Sequence, residues 1–302
     1  MTEPLNLATT LRAGYASASD LPALVPPSGD PWTYADLDSR AAEFAGALDE
    51  LGIAAGQRLI TTAGKSHDAI ALYLACLARG IVYIPLNPAF TGDERRFFVD
   101  DARPALMVTD AGDEPTAGTR TETLDGAGGG TLAEAAAVAR PSREVVDTDA
   151  SDLAAMLYTS GTTGRPKGAM LTHRGLTRNA QALHEIWGFG PDDVLVHGLP
   201  VFHVHGLFVA LHCAFLSGCE IRFLPRFSVD AVLKALPGAS VLMGVPTHYG
   251  RLLDDPSFGV DTCASMRLFT SGSAPMTESM HHRFTRRTGH HILQIAPMPR
   301  ET

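Results

Sequence analysis

A chain of 302 residues, 45% of them apolar, is long enough for one large or two ordinary domains with a sizeable core. Asp and Glu outnumber Lys and Arg by 33 to 24, a formal charge of −9, and no basic run stands out, which argues against a nucleic-acid partner. Cys76, Cys213, Cys219 and Cys263 sit in apolar sequence without a Cys-x-x-Cys pair, and no export signal or run of about 18 apolar residues is visible, so the expectation is a reduced, cytoplasmic protein without a membrane span.

Thr33 with Asp36 forms the capping pair of a first helix, in which Leu37, Ala41, Phe44, Leu48 and Leu51 recur at helical spacing up to Gly52. A strand over 58–62, a helix over 66–79, a strand over 81–86, a helix capped by Thr91 and Glu94 and a strand over 105–108 follow. From 110 to 152 the sequence turns rich in Ala, Gly, Thr and acidic residues, and reads as surface connection with a short helix over 131–139. A buried strand at 153–157 leads into a Gly/Thr-rich loop, then a short apolar run at 169–171 and a helix over 173–187. The second half alternates again: strands at 194–199, 220–224, 240–245, 266–270 and 291–293, and helices over 207–216, 228–236, from Pro246 through Leu253, and 276–288. This alternation predicts an α/β fold with mostly parallel sheets in two lobes, 1–185 and 186–302.

The loop reads Tyr158-Thr159-Ser160-Gly161-Thr162-Thr163-Gly164-Arg165-Pro166-Lys167-Gly168. Glycines let a backbone approach a ligand closely, successive N–H groups make an anion-binding concavity, and hydroxyls and a lysine add donors and charge. The chain has only three lysines, Lys65, Lys167 and Lys234, and one lies in this loop. Gly-Lys-Ser/Thr is missing and Pro166 precedes Lys167, so the loop is not a Walker A motif. A solvated hairpin between two strands is the plainer alternative. Lys65, before the second helix, reads as solvent-facing.

The eleven-residue loop resembles the signature loop of the adenylate-forming acyl-CoA synthetases. Trp32-Thr33-Tyr34-Ala35-Asp36-Leu37, the strand Gly80-Ile81-Val82-Tyr83-Ile84-Pro85-Leu86-Asn87-Pro88, the element Phe202-His203-Val204-His205-Gly206 and the loop Ser271-Gly272-Ser273-Ala274-Pro275 resemble other family elements, in the family's order. The resemblance implies the N-terminal region of that fold. It implies ATP as the activated co-substrate with Mg2+, and CoA as the acceptor, with an acyl-AMP intermediate. It further implies that Thr159, Ser160, Gly161, Thr162, Thr163, Gly164 and Lys167 cradle phosphates and that Ser271 to Pro275 lie along the adenine and the acyl carbonyl. Lys167 and His205 are the catalytic candidates, and His203 and His205 wall the pocket.

The wording of the His element, of Met243-Gly244-Val245-Pro246-Thr247 and of Met266 to Pro275 is most similar to the malonyl-CoA synthetase branch, which implies malonate or methylmalonate as the acid. Gly244 and Thr247 are then substrate-side residues. A second carboxylate needs a cation, because an unpaired buried charge is costly; Arg251 is the chosen clamp, with Arg267 as the other arginine near the pocket strands. A zinc site on His197, His203, His205 and His212 is disfavoured, since no Cys or carboxylate stands at ligand spacing.

In the family the strand at 291–293 continues into a Tyr-Gly-Met-Thr-Glu segment, where the tyrosine stacks on adenine and the glutamate holds Mg2+. Here Gln294-Ile295-Ala296-Pro297-Met298-Pro299-Arg300-Glu301-Thr302 follows, and no magnesium-binding glutamate can be assigned. The expectation is a truncated gene product, with a frameshift near codon 294, an incomplete second lobe and no small C-terminal domain. Such a chain would bind nucleotide weakly and form little thioester. The rival expectation is a non-catalytic nucleotide-binding fragment that associates with a full-length relative.

Overall fold

The computed structural model describes residues 4–113, 118–159 and 166–295. In chain order the helices are α1 (Leu7–Tyr15), α2 (Tyr34–Glu50), α3 (His67–Ala78), α4 (Gly92–Ala102), α5 (Thr131–Val138), α6 (His173–Trp187), α7 (His212–Ser217), α8 (Val229–Ala235), α9 (Pro246–Leu253) and α10 (Glu278–Thr288). The strands are β1 (Pro22–Val25), β2 (Trp32–Thr33), β3 (Arg58–Thr61), β4 (Val82–Pro85), β5 (Leu106–Thr109), β6 (Thr121–Thr123), β7 (Leu153–Thr159), β8 (Lys167–Thr172), β9 (Val194–His197), β10 (Glu220–Phe223), β11 (Val241–Gly244), β12 (Leu268–Ser271) and β13 (Ile292–Gln294). A π-helical stretch, His205–Leu211, runs directly into α7.

The caps expected from sequence are formed. Thr33 and Asp36 make a complete capping box, as do Thr91 and Glu94, while Ser66 and Ser228 accept from the third backbone N–H of their helices. Each such cap contributes about 1 kcal/mol. Gly188, Gly218 and Gly289 close their helices in the left-handed conformation.

The strands form two sheets, in the orders β13-β12-β11-β9-β10-β1-β2 and β6-β5-β3-β4-β7-β8. All pairings are parallel except β1 with β2 and β7 with β8. Side chains of a strand alternate between faces, and here both faces of both sheets are covered. On β3, Leu59 faces the central core and Ile60 the outer layer under α4; on β11, Val241 and Met243 face the central core and Leu242 the outer layer under α8, α9 and α10. The central layer holds α1, α2, α3, α6 and the 205–217 helix. α3 is buried from Asp68 through Ala78, as a helix between two sheets must be.

Three features depart from the sequence reading. α1, β1 and β2 precede the first expected helix; Asn6 caps α1, and Leu7, Leu11 and Tyr15 are its buried stripe. The connection over 110–152 contributes an edge strand, β6, paired with β5, as well as the expected short helix. Leu24 of β1 lies beside Ile221 of β10, so a division at residue 185 leaves β1 and β2 in the second sheet. No helix among the described residues is long and apolar enough to cross a membrane.

Candidate functional site

The parallel strands β9, β11, β12 and β13 end side by side at His197, Gly244, Ser271 and Gln294. In open α/β sheets ligands bind outside such carboxyl ends. The loops beyond them enclose a cavity of about 410 Å³ whose lining includes His203, His205, Gly206, Val245, His248 and Ser273.

His205 is the centre of this cavity. The strand ends at His197, not at 199, and the chain turns through 198–204. His203 therefore lies in a bend and His205 on the first turn of the π-helical stretch, rather than both on one strand face. The turn is tight because the helix start lies on it: a Cβ on Gly206 would stand 2.1 Å from the carbonyl oxygen of Pro200, so no larger residue fits. His205 is 6% exposed, and neither ring nitrogen has a hydrogen-bond partner among the described residues. Burial pushes its pKa down to about 4, with nearby His248 adding to the shift, so the ring is neutral at pH 7, with one donor and one acceptor.

The 271–275 loop forms the facing wall. The ideal Cβ of Gly272 would be 3.0 Å from His205 Nδ1, so the absence of a side chain there admits the imidazole. Ser271 is fully buried and its Oγ has no partner among the described residues. Ser273 holds φ at 67°, a left-handed conformation that costs a non-glycine residue roughly 1 kcal/mol. Ala274 and Pro275 are exposed, and Gln294 Nε2 donates to the Ala274 carbonyl at 3.0 Å.

The other expected residues are distributed unevenly. Thr159 and Lys167 are exposed and pair across the antiparallel base of the β7–β8 hairpin; neither is in the described lining of the cavity. Ser160, Gly161, Thr162, Thr163 and Gly164 lie outside the described residues, as does the tail from Ala296 to Thr302. Gly244 packs on the Tyr249 ring, and Thr247 is exposed on the first turn of α9. Arg251 is one turn beyond His248, outside the cavity lining. Its guanidinium stands 5.2 Å from the Phe227 ring centroid and makes no ion pair among the described residues. Arg267 is occupied elsewhere: its Nε donates to Asp193 at 2.7 Å and its Nη1 to the Trp187 carbonyl, on the far end of the strands.

Sequence reasoning missed two residues. His248 lines the cavity and stacks flat on Phe227 at 3.8 Å; its place directly after Pro246-Thr247, on the first turn of a helix leaving a strand end, was the available signal. Lys65 is not solvent-facing. Its ammonium reaches across to the second sheet and donates to His197 Nδ1 at 2.7 Å, the His197 carbonyl at 2.8 Å and the Leu199 carbonyl at 3.0 Å. The remaining histidines of the disfavoured metal reading are apart and engaged. His212 Nε2 bonds Tyr73 Oη at 2.8 Å, and His197 Nε2 bonds the Gly206 carbonyl at 2.9 Å. No group of three or more His, Cys, Asp or Glu that could hold a metal ion occurs among the described residues.

A five-layer α/β arrangement with its cavity at parallel strand ends, walled by an imidazole and a Gly/Ser loop, is the N-terminal part of the acyl-CoA synthetase fold. Residues 12–295 match the family described as AMP-binding enzyme, and the chain belongs to that family. The crystal structure of apo MatB from Rhodopseudomonas palustris superposes with a TM-score of 0.92 at 41% identity, covering 98% of this chain and 60% of MatB. The mitochondrial malonate–CoA ligase ACSF3 of Mus musculus is 36% identical over 176 residues, 52% of this chain and 30% of that protein. The long-chain-fatty-acid–CoA ligase FadD13 of Mycobacterium tuberculosis is 28% identical over 288 residues, 91% of this chain and 56% of that protein. The chain thus spans less than two thirds of the length of each of these relatives.

Proposed function

We propose that the cavity around His205 receives a small dicarboxylic acid, malonate or methylmalonate, for ATP-dependent activation to an acyl-AMP, with CoA as the thiol acceptor. One observation carries this reading: His205 is buried and neutral, lines the cavity pressed against Gly272, and neither of its ring nitrogens has a partner among the described residues. Buried polar atoms normally have partners, so a cavity walled by a ring with both nitrogens open is shaped for a polar guest. The malonate–CoA ligases among the relatives, and a MatB structure with ATP bound at TM-score 0.90 and 42% identity, favour an acid and a nucleotide as that guest.

In the first half-reaction an oxygen of the acid attacks the α-phosphorus of ATP and pyrophosphate leaves; in the second the CoA sulfur displaces AMP from the acyl carbonyl. Catalysis of such a transfer is chiefly positioning and charge neutralisation. The neutral His205 donates one N–H to the reacting carboxylate, and Ser271 and the Gly272 to Pro275 backbone line the path of the nucleotide. Lys167 and the loop from Thr159 to Gly164 hold the departing phosphates. Arg251, beside Phe227 and without an ion pair among the described residues, neutralises the second carboxylate at the rim. Mg2+ would accompany ATP, neutralising charge on its phosphates.

ATP–pyrophosphate exchange measured with malonate, methylmalonate, acetate and a longer monocarboxylate tests the reading. Malonate-dependent exchange supports it. ATP binding without exchange for any acid supports instead a nucleotide-binding chain that acts with a full-length relative.

A further inference from the structure

Lys65 is half-buried with no carboxylate partner among the described residues, and desolvation lowers its pKa, yet three acceptors converge on its nitrogen and hold it as an ammonium. Its ammonium has three protons, and His197 Nδ1, the His197 carbonyl and the Leu199 carbonyl accept them; the Phe223 ring centroid lies 4.4 Å away. Lys65 comes from the loop after β3 in the first sheet, and its three acceptors lie at the end of β9 in the second. The lysine therefore ties the carboxyl ends of the two sheets together.

The tie continues toward the cavity. Because His197 Nδ1 accepts from an ammonium, the ring proton is on Nε2, which donates to the Gly206 carbonyl at 2.9 Å. Gly206 is the residue after His205, fixed against Pro200 by a contact that no side chain could share. Pro200 in turn lines the His205 cavity and a second cavity of about 300 Å³, which Lys65 lines from the other side. Every link from Lys65 to the base of His205 is thus a hydrogen bond or a close packing contact.

We propose that Lys65 and His197 are positioning residues: a cross-sheet ammonium–imidazole relay that fixes the Gly206 carbonyl, and with it the place of His205 in the acid site. The proposal rests on the assignment of that cavity to the acid, and it specifies how the second sheet is set against the first for binding. Without the lysine, His197 Nδ1 loses its donor and the ring is anchored only through its Nε2–H bond to the Gly206 carbonyl. The helix start at 205–206 then keeps a freely tilting partner. The consequence is read first in binding geometry at His205.

The test is made on the full chain. Histidine side-chain 15N NMR at neutral pH should show His197 as a single Nε2–H tautomer in the unsubstituted protein. Lys65→Met should shift the His197 Nδ1 resonance as its donor is lost, shift the His205 resonances and weaken malonate binding measured by calorimetry about tenfold, the scale of one buried hydrogen bond left unmade. Lys65→Arg, which keeps a cationic donor, should restore the His197 Nδ1 resonance and most of the affinity. A folded Lys65→Met protein with unchanged His205 resonances would overturn the proposal, and so would one whose only change is a lower melting temperature. If Lys65→Met unfolds the chain, the Lys65→Arg and His197→Asn spectra decide in the same way. Should the unsubstituted chain bind no malonate, the acid assignment fails, and the coupling of His205 to Lys65 is still read from the resonances.

Discussion

The imidazole of His205 stands within 3.0 Å of the point where a side chain on residue 272 would begin. The two residues are far apart in sequence and come from different strand ends, yet the shape of one presupposes the emptiness of the other. Gly272→Ala should therefore move the ring rather than the backbone, since residue 272 does not hold a positive φ. Overpacking of this kind costs about 1–3 kcal/mol, and malonate affinity should fall with it. In a double-mutant cycle, Gly272→Ala combined with His205→Ala should lose much of that stability penalty, because the clash has gone. Additive penalties in chemical denaturation would show that the contact is not the cause.

Ser271 gives the opposite signature. Its buried Oγ has no partner among the described residues, so Ser271→Ala removes an unsatisfied group. Stability should stay level or rise by up to about 1 kcal/mol, while ATP affinity falls about five- to tenfold as a ligand contact is lost. A fall in melting temperature without a change in ATP binding would contradict this.

Arg251 should separate one acid from another. Arg251→Ala is expected to weaken malonate binding tenfold or more, the scale of a charge-assisted hydrogen bond, and to leave a monocarboxylate unaffected. Equal losses for acetate and malonate would return Arg251 to a packing role beside Phe227.

Acid should destabilise the chain early. Burial pushes His173 and His205 down to about 4 and His212 to about 3, against about 6.5 in an unfolded chain. Between about pH 6.5 and pH 4 the unfolded state binds more protons, so stability is complete above pH 6.5 and declines as the pH falls. Near pH 5 the slope is about 1.4 kcal/mol per pH unit for each imidazole. Urea denaturation at pH 7.5, 6 and 5 checks the sign: midpoints that hold level down to pH 5 would exclude buried neutral histidines as the cause.

Much of the architecture was legible because it is written locally. Thr33 with Asp36 and Thr91 with Glu94 specify helix starts within four residues, and strands such as Val241 to Gly244, apolar on both faces, declare burial between layers. The N-terminal elements were less legible because β1 and β2 are short and gain their meaning only beside β10, whose sequence lies far away. The same distinction divides the site. Gly272 and His205 belong to recognisable sequence elements, whereas Lys65 makes sense only once β3 and β9 are brought together. A lone lysine after a strand usually points to water, and no local pattern announces three acceptors on another sheet. His248 falls between: its neighbours mark a strand end, but its stacking on Phe227 depends on the loop after β10.

The pairing of Leu24 with Ile221 also sets an order of events during synthesis. β3 to β8 form a contiguous block of sequence, from Arg58 to Thr172, and can pair as they leave the ribosome. The β1–β2 hairpin cannot dock, because β10, the parallel partner of β1, emerges only after that block is complete. The N-terminal hairpin must wait for the second sheet to reach it, and such long-range closure is slow and exposes strand edges meanwhile. Nascent chains halted before Glu220 should therefore hold residues 22–33 open to proteolysis while the first sheet is already protected.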